Sequence, residues 1–263
     1  MSERDGYDHG TPCWVDHSSP DPAVAAAFYG ELFGWESENV MPPGTPGEYF
    51  MARLRGRDVA ALGTQQSGDA PPMWNTYIAV DNADEVVTKA VAAGGSAMGA
   101  AFDVLDVGRM AVLTDQAGAW FCLWQAGRQI GAGLVNEPGA FCWNELTTRD
   151  PDGSKRFYGD VFGWQSTSME YAGVQYVVWH LPGTAPSSDN SVAGMMPMVG
   201  DQWPADLPPH WMVYFAADDV DATATRCEQL GGKISVAPFD TPAGRTAVLN
   251  DPQGAVFSAI KLP

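Results

Sequence analysis

The 263 residues carry 32 Asp and Glu against 14 Lys and Arg, a formal charge of −18. That balance argues against a nucleic-acid partner, which needs concentrated basic charge, and disfavours an anionic membrane surface. No run reaches the roughly 18 apolar residues of a membrane span and no signal-peptide core is readable, so a reducing cytoplasm is expected, with Cys13, Cys122, Cys142 and Cys227 unpaired.

In chain order, residues 1–9 read as a flexible polar lead. Residues 12–17 read as a strand with Trp14 and Asp16 on one face and Cys13 and Val15 on the other. Asp21 can cap a helix that has Pro22 at its first position, where the missing N–H costs nothing, and Gly34 stops it. A Pro/Gly loop at 41–47 precedes strands at 49–54 and 59–62, and a second loop covers 66–73. Aromatic and β-branched content makes 74–80 a strand, followed by a helix over 81–93 that ends at Gly94-Gly95. Strands near 97–102 and 109–113 lead to a turn at 115–118 and a last strand at 120–124. The glycine-rich stretch 127–139 is a crossover, because the pattern then begins again.

Cys142-Trp143-Asn144-Glu145, Asp150-Pro151 and Phe157-Tyr158-Gly159 repeat Cys13-Trp14-Val15-Asp16, Asp21-Pro22 and Phe28-Tyr29-Gly30 at a displacement of 129 residues. Chance rarely keeps spacing and residue type together. Trp211 answers Trp74 and Asp218 answers Asp81 at 137, so about eight residues are inserted within 181–207. A loop that grows while its frame holds is where specificity is usually written, and part of it is expected to roof the second module. Two modules follow, 10–127 and 138–262, each built from two βαβββ units. The fold class is α+β, with curved antiparallel sheets, outer helices and a concave face free for a ligand. Pairing of edge strands is expected to tie the modules together.

Phe28-Tyr29 with Phe33-Gly34, Phe157-Tyr158 with Phe162-Gly163, and the turns at 115–118 and 251–254 resemble the vicinal-oxygen-chelate superfamily of glyoxalase I, extradiol dioxygenases and bleomycin-binding proteins. The likeness covers about residues 11–262. More narrowly, Gly10 to Asp16, Trp74 to Val80 and Trp143 to Leu146 are similar to two-module actinobacterial proteins labelled glyoxalase-like or hydroxylase. The resemblance implies a metal held by His on the first and fifth strands and Glu on the fourth and eighth. Carried onto this chain, those positions are Trp14 and Trp143, Asn75 and Met212, and Cys122 and Ser258, and the fourth strands at 59–62 and 192–196 offer no carboxylate. Neither a metal nor another cofactor is therefore expected.

His9, His17, His180 and His210 lack metal-ligand spacing, and no phosphate loop or nucleophile elbow is present. By alternation Cys13 and Cys142 face the helices and read as inert. Trp14, Tyr77, Trp124 and also Trp120 could line one cup, and Trp143, Met212, Tyr214 and also Trp179 the other. Asp16 and Glu145 are repeat-equivalent carboxylates, and Arg109 and Arg245 repeat-equivalent cations that could face them. Such pairs would be structural bridges or polar anchors for a ligand. The expected function is metal-independent binding of a planar, mostly apolar small molecule, an antibiotic or aromatic metabolite, favouring the second module. The alternatives are a glyoxalase-like or hydroxylase-type enzyme on the same cup, its catalytic residues unassigned, and a structural role with degenerate cups. The small molecule is the only partner expected, and the chain is a monomer of two modules or a homodimer.

Overall fold

Both Asp-Pro pairs start a helix. Asp21 Oδ1 accepts from Val24 N at 3.1 Å and Asp150 Oδ1 from Gly153 N at 2.9 Å, so each cap satisfies an N–H that the first helical turn leaves free. The chain is described from a computed structural model, which covers residues 2–262 except 66, 67, 69, 172, 184 and 202; part of the expected loop at 66–73 thus lies outside the described residues.

The first module runs β1 (Pro12–Ser19), α1 (Pro22–Phe33), β2 (Glu36–Asn39), β3 (Tyr49–Leu54), β4 (Arg57–Thr64), β5 (Met73–Ala79), α2 (Ala83–Ala92), β6 (Ser96–Ala97), β7 (Phe102–Val104), β8 (Gly108–Thr114) and β9 (Trp120–Ala126). The strand expected near 97–102 is split into β6 and β7, both of which pair with β8. The second module runs β10 (Phe141–Thr148), α3 (Pro151–Phe162), β11 (Gln165–Tyr171), β12 (Val174–His180), β13 (Ser191–Pro197), β14 (His210–Ala216), α4 (Val220–Gln229), β15 (Lys233–Thr241), β16 (Gly244–Asn250) and β17 (Val256–Ile260). The sheets share one order, β2-β3-β4-β1-β5-β9-β8-β6 and β11-β12-β13-β10-β14-β17-β16-β15. Each is a curved half-barrel, antiparallel except where a unit's first strand meets its last, as in β1 with β4 and β5 with β9.

Among the described residues no ladder joins the two sheets, which corrects the expected edge pairing. The modules meet back to back through their convex faces. One buried cluster combines Val15, Phe28 and Tyr29 with Phe215, Leu249 and Phe257. The other combines Leu113, Phe121 and Leu123 with Phe157, Tyr158 and Trp179. The first half of each module thus packs mainly on the second half of the other. A sheet with one face curled into a cup must bury its other face against a second layer, and here the other module supplies it. Polar ties follow the same near-symmetry: Trp35 Nε1 donates to Gly139 O at 2.6 Å, and Trp164 Nε1 to Gly10 O at 2.8 Å.

The polar lead is ordered as a strap. Arg4 N donates to Gly133 O, Val135 N to Ser2 O, and the Tyr7 hydroxyl to Ala132 O at 2.6 Å. The linker beneath it is held to the first module by Ala132 N donating to Cys13 O at 2.8 Å. Gly131 lies so close to that carbonyl that a side chain there would collide with it.

Candidate functional site

Alternation along β1 turns Trp14 and Asp16 into the first cup, and its neighbours complete the setting. Asp16 accepts from the Tyr77 hydroxyl at 2.7 Å, the Tyr49 hydroxyl at 3.2 Å and Asn75 Nδ2 at 2.8 Å. Trp14 Nε1 donates to the Tyr49 oxygen at 3.3 Å. The second cup repeats the design. Glu145 accepts from Tyr176 at 2.8 Å and Tyr214 at 3.0 Å, while Trp143 Nε1 donates to the Tyr176 oxygen at 3.3 Å. Register explains both: Asp16 sits opposite Asn75, and Glu145 opposite Met212 on one side and Gly194 on the other. Gly194 is needed because a Cβ there would meet the Tyr176 hydroxyl and the Trp143 indole.

Burial pushes the carboxyl groups of Asp16 and Glu145 above their ordinary values, although the phenols donating to them pull the other way. The same burial, with a carboxylate alongside, pushes the Tyr49, Tyr77, Tyr176 and Tyr214 hydroxyls well up. All four phenols therefore stay protonated as donors. Cys122 and Ser258 hold equivalent places beside Tyr77 and Tyr214, and both are buried.

Access separates the cups. Trp14, Tyr77 and Trp124 are only 4%, 6% and 7% exposed, and Trp124 Nε1 donates to Gln129 O of the linker. Tyr49 and Asn75 of the first cup are half-buried, as are Tyr176 and Met212 of the second. The difference lies in Trp143 and Tyr214, which are half-buried where Trp14 and Tyr77 are buried, leaving an aromatic wall open beside a buried carboxylate.

Several expected placements change. Arg109 does not face Asp16; it binds Asp84 of α2 through Nε at 2.9 Å and Asp103 through Nη1 at 2.8 Å. Arg245 likewise binds Asp221 of α4 and Asp240 at 2.5 and 3.1 Å, away from Glu145. Both arginines start a strand at the rim, where helix carboxylates lie closer than the cup floor. Trp179 is fully buried against Tyr158 and Trp164 on the convex side, and Trp120 is 43% exposed at the start of β9. Leu181 and Pro182, at the start of the 181–207 stretch, fold onto Gly10 and Gly163 on the convex side.

Two functional-looking features were missed from the sequence. Tyr49 and Tyr176 stand 127 apart, off the 129 register of the repeat, so the self-match passes over them; their alternation with Met51 and Val178 on the third strands is the signal that could find them. His17 lies inside β1, with Nε2 2.7 Å from Asp251 Oδ2 of the other module and neither side chain exposed.

Among the described residues no three His, Cys, Asp or Glu gather in one place. Two phenols, an indole, a thioether and one carboxylate do not fit a divalent ion, which takes three or four suitable N, O or S ligands.

A Glyoxalase-like domain model matches residues 14–124, and the Glyoxalase/Bleomycin resistance protein/Dioxygenase superfamily model matches 140–258. A Mycobacterium tuberculosis protein with the provisional name glyoxylase CFP32 is 47% identical over 268 aligned residues, covering 99% of this chain and 98% of its own. The Streptomyces peucetius anthracycline biosynthesis protein DnrV is 38% identical, over 96% of this chain and 94% of its own. Among solved structures, the Mn(II)-bound glyoxalase of Novosphingobium aromaticivorans superposes with a TM-score of 0.65 at 16% identity, covering 99% of this chain and 83% of that one. The 2,3-dioxygenase LapB of Pseudomonas sp. KL28 gives 0.65 at 11% identity, over 96% and 93%. At such identities the likeness is one of fold.

Proposed function

The chain belongs to the Glyoxalase/Bleomycin resistance protein/Dioxygenase superfamily, and from that premise we propose that its second cup is a glyoxalase-like active site for a planar, mostly apolar aromatic metabolite. The observation that carries this reading is Glu145: a buried carboxyl, raised by its burial, held by two phenols and bordered by the half-open wall of Trp143, Met212 and Tyr214. A planar ring system would stack on that wall, where aromatic and thioether surfaces suit varied ligands. A carbonyl or hydroxyl of the ligand would meet Glu145, Tyr176 or Tyr214.

Proton transfer is the step these side chains can carry by themselves. A raised carboxyl lies closer to neutrality and so serves better as acid and base in turn. Glu145 would take a proton from an acidic C–H or phenolic O–H, Tyr176 or Tyr214 would donate to the oxygen on which charge develops, and Glu145 would return the proton. The anthracycline biosynthesis relatives support a polycyclic, oxygenated ring system as substrate class.

Fluorescence titration with a dihydroxyanthraquinone, with mass spectrometry of a hydroxylated tetralone, whose CH2 beside the carbonyl is the acidic C–H, after incubation in deuterated water, tests the proposal. Saturable quenching with enzyme-dependent deuterium uptake, the uptake lost in Glu145→Gln, is the expected result. Quenching with no uptake in wild type leaves a binding protein, and quenching that survives Trp143→Ala places the ligand elsewhere.

A further inference from the structure

The first module carries a cleft unrelated to the second cup. It is an open hollow of about 760 Å³ bordered by Arg4 and Asp5 of the strap, Arg53, Arg57 and Asp58 of the β3–β4 hairpin, Val107 of the β7–β8 turn, and Arg128 and Ile130 of the linker. Four of the chain's 14 basic residues thus border one hollow in a molecule of net charge −18. Carboxylates accompany three of these arginines, so recognition there would rest on the geometry of the guanidinium forks rather than on net charge, and the volume suits a small ligand.

The guanidinium groups are held in place by carboxylates. Arg53 binds Glu38 and Asp58 at 2.9 Å each, Arg57 binds Glu3 at 2.7 Å with Asp5 at 3.9 Å, and Arg128 binds Asp106. Most of these acids face solvent: Asp5 is fully exposed, and Glu3, Glu38 and Asp106 are each 65% or more exposed. Exposed ion pairs of this kind contribute little to stability, so a ligand with better-placed charge can displace them. Among the described residues, Arg4 has no carboxylate within ion-pair distance. Val107 and Ile130 add an apolar wall.

We propose that this cleft binds a small polyanion whose carboxylate or phosphate groups lie at two ends, one taken by Arg4 and Arg128, the other by Arg53 and Arg57. Planar forks suit both oxyanions, which they can grip through two parallel bonds. The lining shares no residue with the cup around Glu145, so this inference stands apart from the catalytic reading.

Titration calorimetry of the full chain at constant ionic strength, with inorganic pyrophosphate and with citrate as probes, separates the two anion chemistries. Saturable one-to-one binding of at least one probe is expected, and the tighter of the two identifies the class. Arg4→Gln with Arg128→Gln changes only exposed side chains and should weaken binding by more than about tenfold, since each lost contact is charge-assisted. Glu3→Gln with Asp5→Asn should tighten it, because the competing acids are gone, and Trp143→Ala should leave it unchanged. Matching thermal unfolding curves confirm that the variants fold. Absence of saturable binding for both probes, affinity unaffected by the arginine changes, or weaker binding without Glu3 and Asp5 would each overturn the assignment.

Discussion

In the first cup Asp16 takes three donors, from Tyr49, Tyr77 and Asn75, under a linker that also holds the Trp124 indole. In the second cup Glu145 takes two, because Met212 stands where Asn75 would, and Trp143 and Tyr214 stay half-open. The contrast shows what duplication permits. A buried carboxylate is costly unless its lone pairs are filled, and the first module fills them and buries the Trp14 and Tyr77 rings beside it. The second keeps unfilled acceptor capacity beside an accessible apolar wall, the combination a ligand can complete.

The largest expected effect breaks the comparison on the closed side. Trp14→Ala removes a nearly buried indole and should cost about 3–5 kcal/mol of stability in urea unfolding, as loss of a large core side chain does. A smaller loss would mean that the first cup is not packed as a core.

Next comes the asymmetry on the convex side. His17 pairs with Asp251, whereas the repeat-equivalent of His17 is Leu146, and Asp115, the counterpart of Asp251, accepts from the Tyr158 hydroxyl. Burial raises both aspartates, yet His17 and backbone N–H donors bring Asp251 below its ordinary value, while Asp115 stays raised. His17→Leu removes one donor from Asp251, which keeps the Tyr29 hydroxyl and backbone N–H groups, and should cost about 2–3 kcal/mol at neutral pH, the range for a hydrogen bond to a charged group. A depressed carboxyl contributes stability above its unfolded value of 3.8, and that contribution is lost as pH falls through the lower folded value. The gap between wild type and variant should therefore narrow in acid, as unfolding midpoints across a pH series would reveal.

The open cup gives the third effect. Trp143→Ala should cost on the order of 2 kcal/mol in affinity for a dihydroxyanthraquinone, as loss of an aromatic anchor does, with less effect on stability than Trp14→Ala. Equal affinity losses from both changes would erase the distinction between the cups.

The smallest effect is a sign. Glu145 is raised on folding, so its charged form opposes the fold, and the stability lost grows as pH rises from the unfolded value of 4.5 toward the folded one. Glu145→Gln should therefore be more stable than wild type near neutrality, with the advantage shrinking as pH falls. Calorimetric unfolding at several pH values checks the direction.

The floor of each cup was legible because strand alternation alone puts Trp14 with Asp16 and Trp143 with Glu145 on one face. The phenols of the third strands were not, since Tyr49 and Tyr176 contact carboxylates 33 and 31 residues away and their spacing departs from the repeat. Arg109 and Arg245 were assigned to the wrong carboxylates for a related reason. Pattern shows that a matched cation exists but not which acid is nearest, and each guanidinium found one on a neighbouring helix.

The amino-acid order by itself determined the duplication, the helix starts at Asp21 and Asp150 and the cup-facing residues of β1 and β10, because capping and two-residue alternation are local rules. The tertiary structure decided the rest. Closure of one cup depends on where a strap and a linker come to lie, through contacts such as Arg4 with Gly133 and Tyr7 with Ala132. The exchange of halves across the interface, with Tyr29 donating to Asp251 at 3.3 Å and Tyr158 to Asp115 at 3.2 Å, joins residues 222 and 43 positions apart. Such contacts form only when two convex faces must share one buried layer, and no local pattern in the chain records which faces those will be.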